Sequence, residues 1–153
     1  MLSETLSDLC PTLHNWFNIH HDADIHSGTF TIVDGSIESL PFLIEGQYFR
    51  VVGSALNDGV YQYPAEDMTD ETFTGAIWAM FVPLDVIRLA ERIEEYNEQV
   101  AHLIAAQREK AGITSESFGG YSYTLSGSAP PGMEIIKAGI DADVRHYRKL
   151  VIF

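Results

Sequence analysis

The chain of 153 residues is poor in three things. It has one cysteine, Cys10, so no internal disulfide is possible, which fits a reducing compartment. It has little positive charge: 9 Lys and Arg against 22 Asp and Glu, a formal net charge of −13. It also has no apolar run near the about 18 residues that a membrane span needs, and no membrane partner is expected. The opening Met1-Leu2-Ser3-Glu4 has no basic stretch before an apolar one, so no signal peptide is expected. Also missing are a Walker loop, a Gly-x-Gly-x-x-Gly turn, a Gly-x-Ser-x-Gly elbow and a His-Glu-x-x-His helix. Neither a cradled nucleotide nor a standard hydrolase follows, and no cofactor is expected. Hydrophobic residues, at 46%, are too plentiful for a disordered chain.

The few basic residues are unevenly placed. Residues 1–87 hold 13 acidic side chains and one basic one, Arg50. Residues 88–153 hold 9 acidic and 8 basic, and Lys137, Arg145, Arg148 and Lys149 close the chain. An acidic body repels phosphate, which argues against tight nucleic-acid binding. The basic end suits an acidic partner, or simply complements a helix C-terminus.

Periodicity predicts an α+β fold. Leu6, Leu9, Leu13 and Trp16–Phe17 recur at helical spacing over 4–17, with Ser3 as N-cap and Pro11 as a break or restart. Residues 28–82 read as a β-rich insertion of about four short strands. Asp34-Gly35 marks a two-residue hairpin after Thr29–Val33. Gln47–Val52 and Val60–Tyr63 follow, separated by an Asn57-Asp58-Gly59 turn and ended by Pro64. Ala76–Val82, apolar on both faces, suits a central strand. Over 84–110, Leu89, Ile93, Tyr96, Val100 and Leu103 step by 4, 3, 4 and 3, the stripe of a long amphipathic helix between Pro83 and Gly112. Arg108 and Lys110 in its last turn favour the helix dipole.

Residues 112–132 carry five Gly, five Ser and two Pro, yet also Phe118, Tyr121 and Tyr123. A plain linker seldom has such aromatics, so this stretch reads as an arm that docks, on its own domain or on another subunit. A short basic helix and tail fill 133–153. One structural domain is expected, as a helix plus β body with the long helix (1–111), an arm (112–132) and a C-terminal helix with tail (133–153).

Three clusters invite chemistry. His20-His21-Asp22-Ala23-Asp24-Ile25-His26, with His14 upstream, holds metal-ligand types without a recognised spacing, and otherwise reads as a polar turn. Cys10 with His14 one turn on has the types of a nucleophile and base, but reads better as a buried thiol. Glu66, Asp67, Asp70 and Glu71 lack the spacing of a calcium loop and read as a solvated acidic turn.

The segment Glu116-Ser117-Phe118-Gly119-Gly120-Tyr121-Ser122-Tyr123-Thr124, lying after a long helix and before a short terminal one, resembles the head–tail connector (adaptor) proteins of tailed bacteriophages and prophages. The likeness extends over about half the chain, and the β-rich insertion departs from the mostly helical members. The resemblance implies a non-enzymatic structural role. It implies a homo-oligomeric ring, typically a dodecamer, beneath the portal protein in the virion neck, assembled in the host cytoplasm. Such a ring extends the channel through which DNA passes without sequence-specific binding, and docks a stopper or tail-completion protein. Ser117, Phe118, Gly119, Gly120, Tyr121 and Tyr123 would then contact a subunit or partner. Arg145, Tyr147, Arg148, Lys149 and Phe153 would form the portal-docking tail. Two other readings stand beside it: a small metal-dependent hydrolase built on His20–His26, and an acidic interaction module that forms no ring.

Overall fold

The computed structural model describes residues 2–18, 21–111, 129–130 and 132–149. The fold is α+β. Helix α1 (Leu2–Leu13) and a short 3-10 turn (His21–Asp24) precede five strands. These are β1 (Ile25–Val33), β2 (Ser36–Ile37), β3 (Tyr48–Val52), β4 (Gly59–Gln62) and β5 (Glu71–Ala79). Helices α2 (Leu84–Ala111) and α3 (Glu134–Tyr147) follow.

Helix α1 is shorter than its apolar spacing suggests, and Ser3 lies inside it rather than capping it. Pro11 does not interrupt it: it sits in the last turn, where its missing N–H removes one i→i−4 bond, that to the Ser7 carbonyl, shortly before the helix stops. The stop is a Schellman turn. The His14 amide donates to the Pro11 carbonyl (3.1 Å) and the Asn15 amide to the Cys10 carbonyl (3.1 Å). His14 takes the left-handed position at φ 51°. Trp16 and Phe17 are thereby released from the helix.

The strands form one antiparallel sheet in the order β2-β1-β5-β3-β4. The Asp34-Gly35 hairpin is present, with both residues at positive φ (53° and 78°) as a type I′ turn requires. It creates β2, a fifth strand beyond the four expected. The expected Ala76–Val82 strand starts earlier, at Glu71, and ends at Ala79. It is central, paired with β1 on one side and β3 on the other. Thr72 and Thr74 open it with exposed β-branched side chains, opposite Thr31 and Thr29. The Thr29 and Thr74 hydroxyls meet at 3.0 Å.

Each sheet face builds its own core. On one, Phe30, Ile32, Phe49, Val51, Phe73 and Ile77 pack under Leu40, Leu43, Ala65 and Met68 of the connecting loops. On the other, Tyr48 and Val60 meet the three helices through Leu6, Leu13, Leu89, Ile93 and Ile140. Helix α2 keeps the predicted stripe: Leu89, Ile93, Tyr96 and Val100 are buried. Its fifth member, Leu103, is exposed, and none of the described side chains after Val100 in this helix is buried.

The acidic run at 66–71 is not simply solvated. Asp70 accepts the Gly35 amide (2.9 Å), locking the hairpin. The Glu71 carboxylate accepts from the Ser54 hydroxyl, from Asn57 Nδ2 (3.0 Å) and from the Ala55 amide (3.1 Å). Asn57, itself buried, exchanges two hydrogen bonds with the Thr69 backbone, each 2.8 Å. The Ser54 bond first, and then that of Asn57, hold the Glu71 carboxyl below its ordinary range. A depressed folded-state value adds stability above the ordinary carboxyl range and loses it as pH falls through the folded value. The stability gap between the wild-type chain and Glu71→Gln, read by urea unfolding, is therefore expected to be widest near neutral pH and to close in acid. A gap that does not change with pH rejects this role.

Candidate interaction surface

The basic end comprises the last turn of α3 and the residues just after it. The buried side of α3, Lys137, Ile140 and Val144, packs against α2, leaving Ile135, Ile136, Arg145 and His146 exposed. The Arg148 amide donates to the Arg145 carbonyl (3.4 Å), and the Lys149 amide donates to the Leu13 carbonyl at the end of α1 (2.9 Å). The chain after α3 is thus fastened across the end of α1. There the Arg148 guanidinium lies 3.3 Å from His14 Nε2.

Between the first half of α2 and the last turns of α3 runs an open groove of about 480 Å³. Asp85, Arg88, Leu89, Arg92, Asp143, His146 and Tyr147 line it. Arg92 pairs with Asp143 across the two helices, and Arg88 lies 3.8 Å from Asp85 along α2. Desolvation, with Asp85 and Asp143 adding, raises the Tyr147 hydroxyl above its ordinary value, so it stays a neutral donor. The groove offers arginines and an imidazole beside carboxylates, a mixed polar wall suited to protein contacts. A shallower apolar depression of about 350 Å³ lies between Gln99, His102 and Leu103 of α2 and Met133 before α3.

The expected tail residues divide. Arg145, Arg148 and Lys149 are exposed, whereas Tyr147 is half-buried against the helical core. Phe153 lies outside the described residues, as do Ser117, Phe118, Gly119, Gly120, Tyr121 and Tyr123. The structure therefore brings Arg145, Tyr147, Arg148 and Lys149 to one end of the molecule.

The metal reading gains no geometry. His20 lies outside the described residues, Asp24 is buried, and the His26 ring stacks on Phe42 with centroids 3.6 Å apart. Among the described residues no three His, Cys, Asp or Glu side chains are grouped to hold a metal ion. Cys10 is fully buried, and burial pushes its thiol up to about 12, which opposes the thiolate a nucleophile needs. Among the described residues no helix is long and apolar enough to cross a membrane.

One constellation escaped sequence reading. Arg50, Trp16 and Trp78 meet on the helix-bearing face of the sheet, with the guanidinium carbon 3.6 Å from one indole centroid and 4.5 Å from the other. No protein-family model, curated protein or solved structure matches the chain.

Proposed function

We propose that the chain is a non-enzymatic head–tail connector of a tailed phage or prophage. It forms a ring, most simply a dodecamer, under the portal. Its acidic body lines or buttresses a channel that does not retain DNA. The observation that carries this reading is the order of elements: an opening helix, a long helix, the Glu116–Thr124 segment and a short terminal helix followed by basic residues. In sequence α2 precedes that segment, and exposed Leu103 near its end supports a subunit contact there. A ring needs two different surfaces on each subunit. The end of α2 with residues 117–123 supplies one, and the α2–α3 groove supplies the other. The cluster of Arg145, Arg148 and Lys149, with Phe153 beyond it, is assigned to the portal, and the five-stranded sheet is an addition facing outward or toward the stopper.

Tyr121→Ala combined with Tyr123→Ala tests the reading. Native mass spectrometry and imaging with portal protein present should show rings for the wild-type chain. The double variant is expected to lose ring incorporation at least tenfold with an unchanged melting temperature. Unchanged incorporation removes the role given to the segment, and a strict one-to-one complex in the wild type removes the ring.

A further inference from the structure

Arg50 is the one lysine or arginine of residues 1–87, and Trp16 and Trp78 are the two tryptophans of the whole chain. Three separate elements bring them together. Arg50 on β3 is the cross-strand partner of Trp78 on β5, so both side chains leave the same face. Trp16 arrives from the segment after α1, which is fastened to the end of β5. Asn18 Nδ2 donates to the Ala79 carbonyl (3.2 Å), and the Phe81 amide donates to the Phe17 carbonyl (2.9 Å). The two indoles stand nearly perpendicular, 82° between planes with centroids 6.5 Å apart, and the guanidinium sits in the corner between them.

Two perpendicular indoles flank the planar guanidinium on two sides only, so they leave part of its edge clear. All five N–H donors of arginine lie in that edge, in the plane of the group. Among the described residues Arg50 has no hydrogen-bond or ion-pair partner, although the chain has 22 carboxylates from which to supply one. No buried side-chain nitrogen or oxygen lacks a partner among the described residues, so the open donors of Arg50 reach the surface. Arg50, Trp16 and Trp78 are each half-buried, which fixes the fork while keeping it accessible. Desolvation by the surrounding side chains lowers the guanidinium from its ordinary value, with Asp58 opposing, and an arginine remains charged throughout.

We propose that Arg50, held in the corner between Trp16 and Trp78, is a receptor for a carboxylate group carried by a partner protein. A planar fork with two parallel N–H groups matches the two oxygens of a carboxylate. A lone cation on a strongly acidic body suits a single negative charge better than a phosphate dianion, which the surrounding carboxylates repel more strongly. The indoles beside the fork add apolar contact for whatever carries the carboxylate. The site makes no use of the connector reading and stands if that reading falls.

The two tryptophans make the test selective, because the only indole N–H signals of the protein come from this site. The intact 15N-labelled chain is titrated at constant ionic strength with two capped glycine peptides. One carries a glutamate side chain and an amidated end, the other a free terminal carboxylate. Sodium chloride and inorganic phosphate serve as comparisons. Both indole signals are expected to move saturably with at least one peptide, and the peptide that moves them identifies a side-chain or chain-end carboxylate as the source. Arg50→Lys, checked for an unchanged fold by circular dichroism, is expected to bind about tenfold more weakly, since one charge-assisted hydrogen bond of the fork is lost. The proposal is overturned if neither peptide moves the signals beyond chloride, or if phosphate moves them as effectively. It is also overturned if a folded Arg50→Lys binds as tightly as the wild type.

Discussion

Adding one methyl group at Gly75 is expected to destabilise the chain by at least about 3 kcal/mol, more than an ordinary surface change. Gly75 lies in the middle of β5, the strand that joins both halves of the sheet. A Cβ built there would stand 2.1 Å from the Val52 carbonyl oxygen and 3.2 Å from Gly53 Cα. These are backbone atoms, so no side-chain rotation relieves the overlap. The end of β3 must move away, opening the Val51–Ile77 and Val52–Ala76 pairings. Gly53 makes the matching approach from the other side, its own Cβ position 3.1 Å from Gly75 Cα. Gly28 is the internal comparison. It pairs with Gly75 across β1, yet a Cβ there meets only the far end of the Phe30 ring at 3.9 Å. Gly28→Ala should therefore change stability by less than about 1 kcal/mol. Urea unfolding of the two variants reads the difference, and equal midpoints would show that the β3–β5 contact at Gly75 is not tight.

The elements most legible in the sequence are those governed by nearest neighbours. The stripe of α2 depends on spacing within one helix, and four of its five members are buried. Asp34-Gly35 needs only its own backbone angles to form the hairpin. Errors arise where a distant group decides. Helix α1 stops at Leu13 because the His14 turn and the fastening of residues 17–18 to the end of β5 take Trp16 and Phe17 elsewhere. The start of β5 at Glu71 depends on pairing with Ile32, 39 positions earlier in the chain. An acidic run before a strand looks solvated until Ser54 and Asn57 fold back onto Glu71.

The same division holds for the candidate surfaces. The basic character of the chain end is visible from composition, and Arg145, Arg148 and Lys149 are exposed at one end of the molecule. The α2–α3 groove is not legible, because Arg92 reaches Asp143 only once the helices are packed. Composition shows Arg50 only as a charge, and spacing places Trp16 in a helical stripe. Their meeting with Trp78 requires the β3–β5 register, and no local pattern encodes it. Leu103 shows the converse: it fits the stripe by spacing, yet it is exposed while its neighbour Ile104 packs on the core.

Breaking the pair of Lys137 and Asp141 is the second large effect expected. Lys137 Nζ lies 3.1 and 2.8 Å from the two Asp141 carboxylate oxygens, with side chains 7% and 15% exposed. Lysine placed N-terminal to its acid is the weaker orientation for an i,i+4 pair, so helix propensity is a poor reason for it. Its place on the α2-facing side of α3, near Tyr96, makes it part of the contact between the helices. Asp141→Ala removes a carboxylate that takes two contacts from an ammonium in a largely dry setting, and is expected to cost about 1.5–3 kcal/mol. Replacing both members with apolar side chains, as Lys137→Met with Asp141→Leu, should restore stability to within about 1 kcal/mol of wild type or exceed it. Arg92 and Asp143 provide the contrast on the same two helices. Their side chains are 46% and 47% exposed, so Asp143→Ala should cost at most about 1 kcal/mol and matter less at high salt. Thermal and urea unfolding of the four variants orders them, and an Asp141→Ala no worse than Asp143→Ala overturns the buried-pair account. Because α3 sets the position of Arg145, Arg148 and Lys149, Asp141→Ala should also release the basic end from α1. That release is readable as faster hydrogen exchange of the Lys149 amide, now held by the Leu13 carbonyl at 2.9 Å.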